Sequence, residues 1–302
     1  MQLFNTLVAY AIPCIPRALV QKISRRYIAG DDLAQAVKRI RQLNAQGFSV
    51  TVDVLGETVS TMQQAERIAH EYERVLEEIQ THGLDATISI KPTALGLLLD
   101  RNACEQRLEQ IVESAALHKT DVCIDMEDVS CTQMEIDLFS RIKSRFGHVS
   151  LALQAYLRRT YDDIKPLLLN RSNLRICKGI YLEDRSHLVE DAWRDRNAIN
   201  SHFLAHVAKC FATGTFVAVA THDKALIEQV AALAHRESVD PTKFEFQMLL
   251  GVCEPLRDRL LNMGFKVRIY TPYGHDWYGY SIRRMKENPQ IAGHVARAVI
   301  GF

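Results

Sequence analysis

Short apolar, β-branched runs alternate with longer amphipathic stretches along this chain from residue 48 onward. Runs of this length and composition are typical of buried strands. Eight strands are predicted, at residues 48–55, 86–91, 122–126, 149–156, 174–181, 216–221, 244–249 and 267–270. A helix is predicted after each, as at 61–82, where apolar residues recur every three or four positions.

The repeated strand–helix unit predicts an α/β fold with parallel strands. Eight units with no spare edge strand favour a closed (β/α)8 TIM-type barrel, and an open doubly wound sheet is the alternative. A further amphipathic helix is predicted at 28–43, with extra N-terminal helices in residues 1–46 and the barrel in 47–302. No Gly-, Ser- or Pro-rich linker interrupts the repeat, so one domain is expected over residues 1–302.

Composition narrows the function classes. The chain carries 37 Lys and Arg against 36 Asp and Glu, a formal net charge of +1, which argues against nucleic acid as a partner. Its seven cysteines include no C-x-x-C pair, so small buried hydrophobes in a reducing cytoplasm are expected. The apolar segment 3–20 is interrupted by Pro13 and Pro16 and resembles neither a signal peptide nor a membrane span. It is expected to pack on the barrel or to touch a membrane surface or a partner.

Polar side chains are predicted to crowd the C-terminal ends of the strands, where barrels of this type hold their active sites. They are Asp53, Glu57, Lys91, Asp125, Glu127, Gln154, Arg175, Lys178, Thr221, His222, Asp223, Glu245, Gln247, Arg268 and Tyr270, joined by Tyr280, Arg283, Arg284 and Glu287 of the last helix. The set is rich in Lys and Arg, so an anionic ligand is expected. It lacks the spacing of metal-binding histidines, and no metal is predicted. His202 and His206, four residues apart, are interpreted as a solvated helix face.

Two chemical interpretations of Lys91 stay open at this point. A desolvated amine on a barrel strand could form a Schiff base with a carbonyl substrate, or Lys91 could pair with Asp125 or Glu127. The chain has no GxGxxG or P-loop, so a bound nucleotide would need side-chain donors, for which Arg175, Lys178 and His222 are candidates.

Taken together, the strand ends resemble the proline dehydrogenase family from about Arg26 to the C-terminus. The motifs that carry the resemblance are Asp53-Val-Leu-Gly-Glu57, Ser89-Ile-Lys-Pro-Thr93, Ile124-Asp-Met-Glu127, Leu153-Gln-Ala-Tyr156, Arg175-Ile-Cys-Lys-Gly-Ile-Tyr181, Ala220-Thr-His222, Phe244-Glu-Phe-Gln-Met-Leu249, Val267-Arg-Ile-Tyr-Thr-Pro-Tyr-Gly274, Trp277-Tyr-Gly-Tyr280 and Arg283-Arg284 with Glu287-Asn-Pro289. The resemblance implies FAD-dependent oxidation of L-proline to Δ1-pyrroline-5-carboxylate by hydride transfer, with electrons passed to a quinone, as the first step of proline catabolism.

The resemblance also implies roles for individual residues. Arg283, Arg284 and Lys91 would bind the proline carboxylate, and Asp125 would orient these cations. The pyrrolidine ring would be walled by Tyr181, Leu249, Tyr270 and Tyr280. Gln154 and Arg175 would reach the flavin ring, and the phosphates and ribityl chain would be held by Lys178, Thr221, His222 and Glu287. A cytoplasmic protein, peripheral to the inner face of the membrane, is expected.

Two positions depart from the family pattern. Ile180 stands where a small residue usually precedes Tyr181, so exclusion or reorientation of ring substituents is expected. Asp223 stands where Asn usually follows His222, which places an acid near the flavin phosphates. Two other classes remain as alternatives: a Schiff-base lyase using Lys91, and a catalytically silent barrel that serves as a binding module.

Overall fold

Eight parallel strands close into a barrel in the computed structural model of the chain. The structure describes residues 20–21, 24–56 and 59–287, with the backbone alone for 283–287. The strands are β1 Ser49–Val54, β2 Ala86–Ile90, β3 Val122–Ile124, β4 Val149–Gln154, β5 Leu174–Cys177, β6 Val217–Ala220, β7 Phe244–Leu249 and β8 Val267–Tyr273. Each pairs with the next, and β8 pairs with β1. The predicted barrel is confirmed, and the open-sheet alternative is wrong.

Helices lie between successive strands and outside the barrel wall. They are α1 Leu33–Ala45, α2 Met62–His82, α3 Arg101–Leu117, α4 Val129–Lys143, α5 Thr160–Leu169, α6 Ile199–Ala212, α7 Lys224–Arg236, α8 Glu254–Asn262 and α9 Trp277–Glu287. The predicted 28–43 helix begins later, at Leu33, because the Asp32 carboxylate accepts from the Gln35 amide at 2.9 Å and caps it. Thr61 and Gln64 form a capping box at the start of α2.

Three strands end at least two residues earlier than the sequence pattern predicts. β3 stops at Ile124, β4 at Gln154 and β5 at Cys177. After β5 the chain turns at Gly179, whose φ is +99°. A Cβ at Gly179 would lie 2.2 Å from the Tyr156 ring, so only glycine fits there. Conversely, β8 runs past its predicted end at Tyr270 to Tyr273, since it stays paired with β1 up to Val54.

The strand residues are buried on both faces, as expected for a parallel sheet covered by helices. Ile88, Ile124 and Val219 are 0% exposed. Four of the six described cysteines are likewise buried, whereas Cys177 is half-buried and Cys253 is exposed. In the described part of the chain, no helix has the length and apolar character that crossing a membrane requires. For the segment 3–20, packing on the barrel or contact with a membrane surface or a partner was predicted. Most of this segment lies outside the described residues.

Candidate active site

A buried cluster of charged side chains occupies the mouth of the barrel, with Asp125, just after β3, at its centre. Its Oδ1 accepts from Ser89 Oγ at 2.6 Å and from Arg175 Nη1 at 2.5 Å, and its Oδ2 accepts from the Tyr270 hydroxyl at 2.7 Å. Lys91 Nζ lies 3.5 Å from Oδ2. Burial would raise the pKa of Asp125, but Arg175 and Lys91 outweigh burial and hold the pKa below its usual range. Asp125 is therefore an anion shared by two cations.

Lys91 follows β2 and is held by Asp53 from β1. Its Nζ donates to Asp53 Oδ1 at 2.7 Å and to the Tyr270 hydroxyl at 3.1 Å. Burial alone would lower the pKa of Lys91, but Asp53, Tyr270 and Asp125 raise it well above its ordinary value. A Schiff base needs a neutral amine, and this environment stabilises the ammonium instead. The arrangement thus favours the paired interpretation of Lys91 over the lyase.

Arg175 is the second residue of β5 rather than at the strand end predicted for it, and its long side chain reaches Asp125 at the mouth of the barrel. Its Nε donates to Gln247 Oε1 of β7 at 2.6 Å, on the side of the guanidinium away from Asp125. Behind Gln247, Glu245 accepts from Gln247 Nε2 at 2.7 Å and from Arg268 Nε at 2.6 Å. Glu245 and Arg268 are each the second residue of their strand, so their prediction at C-terminal strand ends was wrong: they lie deep in the barrel. From the barrel mouth inward, the charged groups thus alternate in sign: Asp125, Arg175, Glu245 and Arg268, with the neutral Gln247 between Arg175 and Glu245.

A second group of predicted residues follows three neighbouring strands, β4, β5 and β6. Gln154, 1% exposed, donates through Nε2 to the Glu127 carbonyl at 2.7 Å. His222 accepts the Leu249 amide on Nε2 at 2.8 Å, which leaves the proton of the neutral ring on Nδ1. The hydroxyl of Thr221 accepts from the Asp223 amide at 3.2 Å. These side chains lie on the half of the barrel away from Lys91 and Asp53.

Lys178 has a partner that the sequence only hinted at. Its Nζ donates to Asp223 Oδ2 at 2.7 Å, and Asn200 Nδ2 donates to the same oxygen at 3.0 Å. Asp223 also caps α7 by accepting from the Leu226 amide at 3.2 Å. Burial opposes its ionisation, but these bonds lower the pKa of Asp223 to about 2. An anion that reaches Lys178 must share it with Asp223.

The predicted walls of the ring site come from three directions. Leu249 ends β7, and Tyr270 lies in β8. Tyr181 lies in the loop after β5, where its carbonyl accepts from the Tyr156 hydroxyl at 3.3 Å. Tyr280 of α9 is 6% exposed and packs in an apolar cluster with Leu55, Trp277, Ile28 and Val20. The backbone of Arg283, Arg284 and Glu287 belongs to α9, but their side chains lie outside the described part of the structure. Glu57 lies outside it entirely.

Behind the site, the predicted residue Glu127 is paired with a second buried carboxyl group, Glu135, which the sequence pattern did not single out. Glu127 accepts from the Thr93 amide at 3.0 Å and from the Thr93 hydroxyl at 2.5 Å. Glu135 of α4 is 0% exposed, and both its oxygens lie 3.2 Å from the Glu127 amide. The signal was available, since Glu135 shares a helix face with Cys131 and Leu138, both buried. The pair links the turns that follow Lys91 and Asp125.

Replacement of Glu135 by glutamine is expected to stabilise the fold increasingly as the pH rises. Burial and the Glu127 carboxylate raise the pKa of Glu135 well above 4.5, its ordinary value. Above that ordinary value the unfolded chain loses this proton while the folded protein keeps it, so stability falls as pH rises towards the folded pKa. Glutamine cannot ionise and removes that loss. Melting temperatures of the parent and the variant should diverge as the pH rises above about 4.5.

Glu113→Gln on the exposed face of α3 is the matched control, because the Glu113 side chain is 54% exposed. It should leave the pH profile of the melting temperature unchanged. Parallel profiles for Glu135→Gln and the parent would show that Glu135 is ionised in the folded protein.

His202 and His206 do not form the solvated face that was predicted. His206 is 0% exposed beneath Tyr161, with ring centroids 4.6 Å apart, and burial lowers the pKa of His206 to about 4. His202 Nδ1 lies 2.8 Å from the Tyr161 hydroxyl. The helix pattern could not reveal this, because the ring that covers His206 comes from α5. Across the described residues there is no group of three or more His, Cys, Asp or Glu placed to hold a metal ion.

The chain matches the family model described as proline dehydrogenase over residues 36–297. It is 37% identical over 264 residues to proline dehydrogenase 2 of Bacillus subtilis strain 168, covering 87% of this chain and 86% of that protein. It is 33% identical over 277 residues to proline dehydrogenase 1 of Bacillus subtilis subsp. natto, covering 92% and 90%. The comparable figure for the proline dehydrogenase of Deinococcus radiodurans is 29% over 291 residues, covering 95% and 93%.

Among solved structures, the chain resembles proline utilization A (PutA) from Bdellovibrio bacteriovorus inactivated by N-propargylglycine. The TM-score is 0.80 at 19% identity, over 91% of this chain and 34% of that protein. The chain therefore spans about a third of the length of this neighbour. At this identity the likeness concerns the fold of the shared region.

Proposed function

Because the chain belongs to the proline dehydrogenase family and is thus an enzyme that oxidises proline in proline catabolism, we propose that it converts L-proline to Δ1-pyrroline-5-carboxylate with noncovalent FAD. One observation carries the proposal beyond the family assignment. An ammonium, Lys91, and a guanidinium, Arg175, share the buried carboxylate of Asp125 at the mouth of the barrel. Such a fixed, desolvated pair of cations suits an anionic substrate next to an electron acceptor.

Lys91 is proposed to bind the carboxylate of proline together with Arg283 and Arg284. The Lys91 ammonium is held by Asp53 and Tyr270, so it needs little reorganisation when an anion arrives. Paired guanidiniums give a carboxylate planar, bidentate partners. Asp125 keeps Lys91 and Arg175 together against their mutual repulsion. Tyr181, Leu249, Tyr270 and Tyr280 are proposed as the walls that surround the pyrrolidine ring.

The donors along β4, β5 and β6 suit a flavin with its phosphates. Gln154 and Arg175 would hold the ring system, while Lys178, Thr221, His222 and Glu287 would hold the ribityl chain and phosphates. Lys178 supplies the positive charge that phosphates require. When bound, FAD supplies the two-electron acceptor for the hydride that leaves C5 of proline. Arg175 supplies fixed positive charge where negative charge develops.

The amine of proline must lose its proton before or during hydride departure. The Lys91 ammonium repels a second ammonium nearby and so lowers the pKa of the substrate amine. The carboxylates of Asp53 and Asp125 are both engaged with cations. The proposal therefore relies on like-charge repulsion, and no residue is assigned as the general base.

A quinone is proposed as the final electron acceptor, met by a cytoplasmic enzyme at the inner face of the membrane. The apolar pattern of the segment 3–20 supports this contact.

Ile180 is proposed to restrict substituents on the proline ring. It is half-buried and follows Gly179, whose position is fixed against Tyr156.

The purified protein is expected to show flavin absorption bands that bleach on anaerobic addition of L-proline.

Arg283→Met or Arg284→Met should raise the KM for proline by roughly 30-fold or more, because each variant loses a charge-assisted hydrogen bond to the proline carboxylate. The flavin bands should stay in place, because neither arginine is assigned to the flavin. The readouts are the spectrum and steady-state kinetics. A protein that neither retains nor binds FAD would overturn the proposal, and unchanged proline kinetics in both variants would remove the carboxylate assignment.

A further inference from the structure

We propose that Gln247 and Glu245 are positioning residues that fix the orientation of the Arg175 guanidinium and thereby set the reduction potential of the bound flavin. The inference rests on the proposed function, which places Arg175 beside the flavin. It concerns two residues that need not touch the substrate or the cofactor. Both lie on β7, and Gln247 and Glu245 are 8% and 2% exposed, respectively.

The guanidinium of Arg175 is held along two of its edges. On one edge Nε donates to Gln247 Oε1 at 2.6 Å, and on the other Nη1 donates to Asp125 Oδ1 at 2.5 Å and to Ser89 Oγ at 2.9 Å. Contacts on opposite edges of a planar group prevent its rotation. No hydrogen bond joins Nη2 to any other described residue, so this is the nitrogen left to serve a ligand.

Gln247 has a defined amide orientation because of Glu245. An amide can present either its oxygen or its NH2 group to a neighbour, and Arg175 can only donate. Glu245 Oε1 lies 2.7 Å from Gln247 Nε2 and, as a carboxylate, can only accept. The NH2 group must therefore face Glu245 and the oxygen must face Arg175.

Glu245 is in turn held as an anion. Its Oε1 accepts from Arg268 Nε at 2.6 Å, and Lys266 Nζ lies 3.3 Å from Oε2. Burial would raise the pKa of Glu245, but Arg268 and the hydrogen bonds outweigh burial and lower it. Arg268 is anchored by donating to the Val50 carbonyl at 2.8 Å. The series from Arg268 through Glu245 and Gln247 to Arg175 thus connects the barrel floor to the candidate flavin site without a break.

The test is the midpoint potential of the flavin in the FAD-loaded enzyme carrying Gln247→Leu. Without the acceptor at Nε, the guanidinium loses one of its two fixed edges, and the reduced flavin loses stabilisation. We expect the potential to become more negative and the rate of flavin reduction at saturating proline to fall roughly 10-fold, with KM for proline within about twofold of the parent. Glu245→Gln, which removes the group that orients Gln247, should shift the potential in the same direction by less.

Ser150→Ala is the control, because Ser150 lies on β4, away from β7, and its hydroxyl donates to the Val122 carbonyl at 3.3 Å. It should leave the potential at the parent value. Parental potentials in both Gln247→Leu and Glu245→Gln would overturn the inference and leave the proposed function intact. If the parent itself binds no FAD, the proposed function fails, and the inference fails with it. Should Gln247→Leu not fold, Glu245→Gln decides by the same readout.

Discussion

Asp125→Asn is expected to lower the free energy of unfolding by about 3 kcal/mol, because it leaves two buried cations with too few anions. Arg175 and Lys91 would retain only Asp53 as a carboxylate partner among the described groups at the barrel mouth. One of the two accepting oxygens of Asp125 would also become an NH2 group that cannot accept. Denaturant unfolding measures the loss, and kcat/KM for proline should fall by roughly 100-fold as the cations move.

Acid adds a second readout for the same variant. The folded pKa of Asp125 lies below its unfolded value near 4, so this carboxylate contributes stability above about pH 4 and loses it as the pH falls through the folded pKa. The parent should therefore lose more stability on acidification than Asp125→Asn does. The control is Asp162→Asn, whose partner Lys165 lies 2.7 Å away and whose side chain is 81% exposed. An ion pair this exposed is screened by water and contributes little to stability. Equal effects of the two substitutions would contradict the central place of Asp125.

Lys91→Met is expected to reduce kcat/KM for proline by roughly 100-fold, equivalent to about 3 kcal/mol of lost carboxylate binding. The substitution also removes the countercharge of Asp53, which is 0% exposed. Burial already raises the pKa of Asp53, and Lys91 is the main group that opposes this. The variant should therefore be less stable than the parent, by a margin that grows as the pH rises and Asp53 must either ionise unpaired or stay protonated.

A double variant separates binding from stability. Lys91→Met combined with Asp53→Asn removes both charges, so it should recover stability relative to Lys91→Met while its proline kinetics stay impaired. Thermal melts and steady-state kinetics on the same samples give both readouts. Recovery of parental kcat/KM in the double variant would show that Lys91 serves only to neutralise Asp53.

The sequence predicted the barrel because the alternation of strand and helix is repeated eight times. The position of a side chain along the barrel axis depends instead on strand register, which that alternation does not reveal. Glu245 and Arg268 were expected at the mouth, yet they occupy the second position of β7 and β8. A period of two tells which face a residue occupies and not how far along the barrel axis it lies. Ion pairs such as Lys178 with Asp223 arise between different strand ends, so no local pattern encodes them.

The other wrong or missed predictions concern polar residues inside helices, whose burial also depends on parts of the chain distant in sequence. His206 and Glu135 are polar residues whose burial is decided by neighbouring elements. For His206 the cover is a tyrosine from another helix, and a single helix pattern contains no trace of it. For Glu135 the apolar residues on its own face were a usable sign. Assignments to the substrate and the flavin come from the family resemblance and remain predictions.

The turn at Gly179 restricts how this enzyme could diversify. Any side chain there would collide with the Tyr156 ring, and the backbone has a φ of +99°, which favours glycine. A variant adapted to a substrate with a substituted ring therefore cannot replace Gly179. The substitution must occur at the neighbouring position instead, because Ile180 is half-buried and directly follows this turn. Replacement of Gly179 should accordingly be tolerated less than replacement of Ile180.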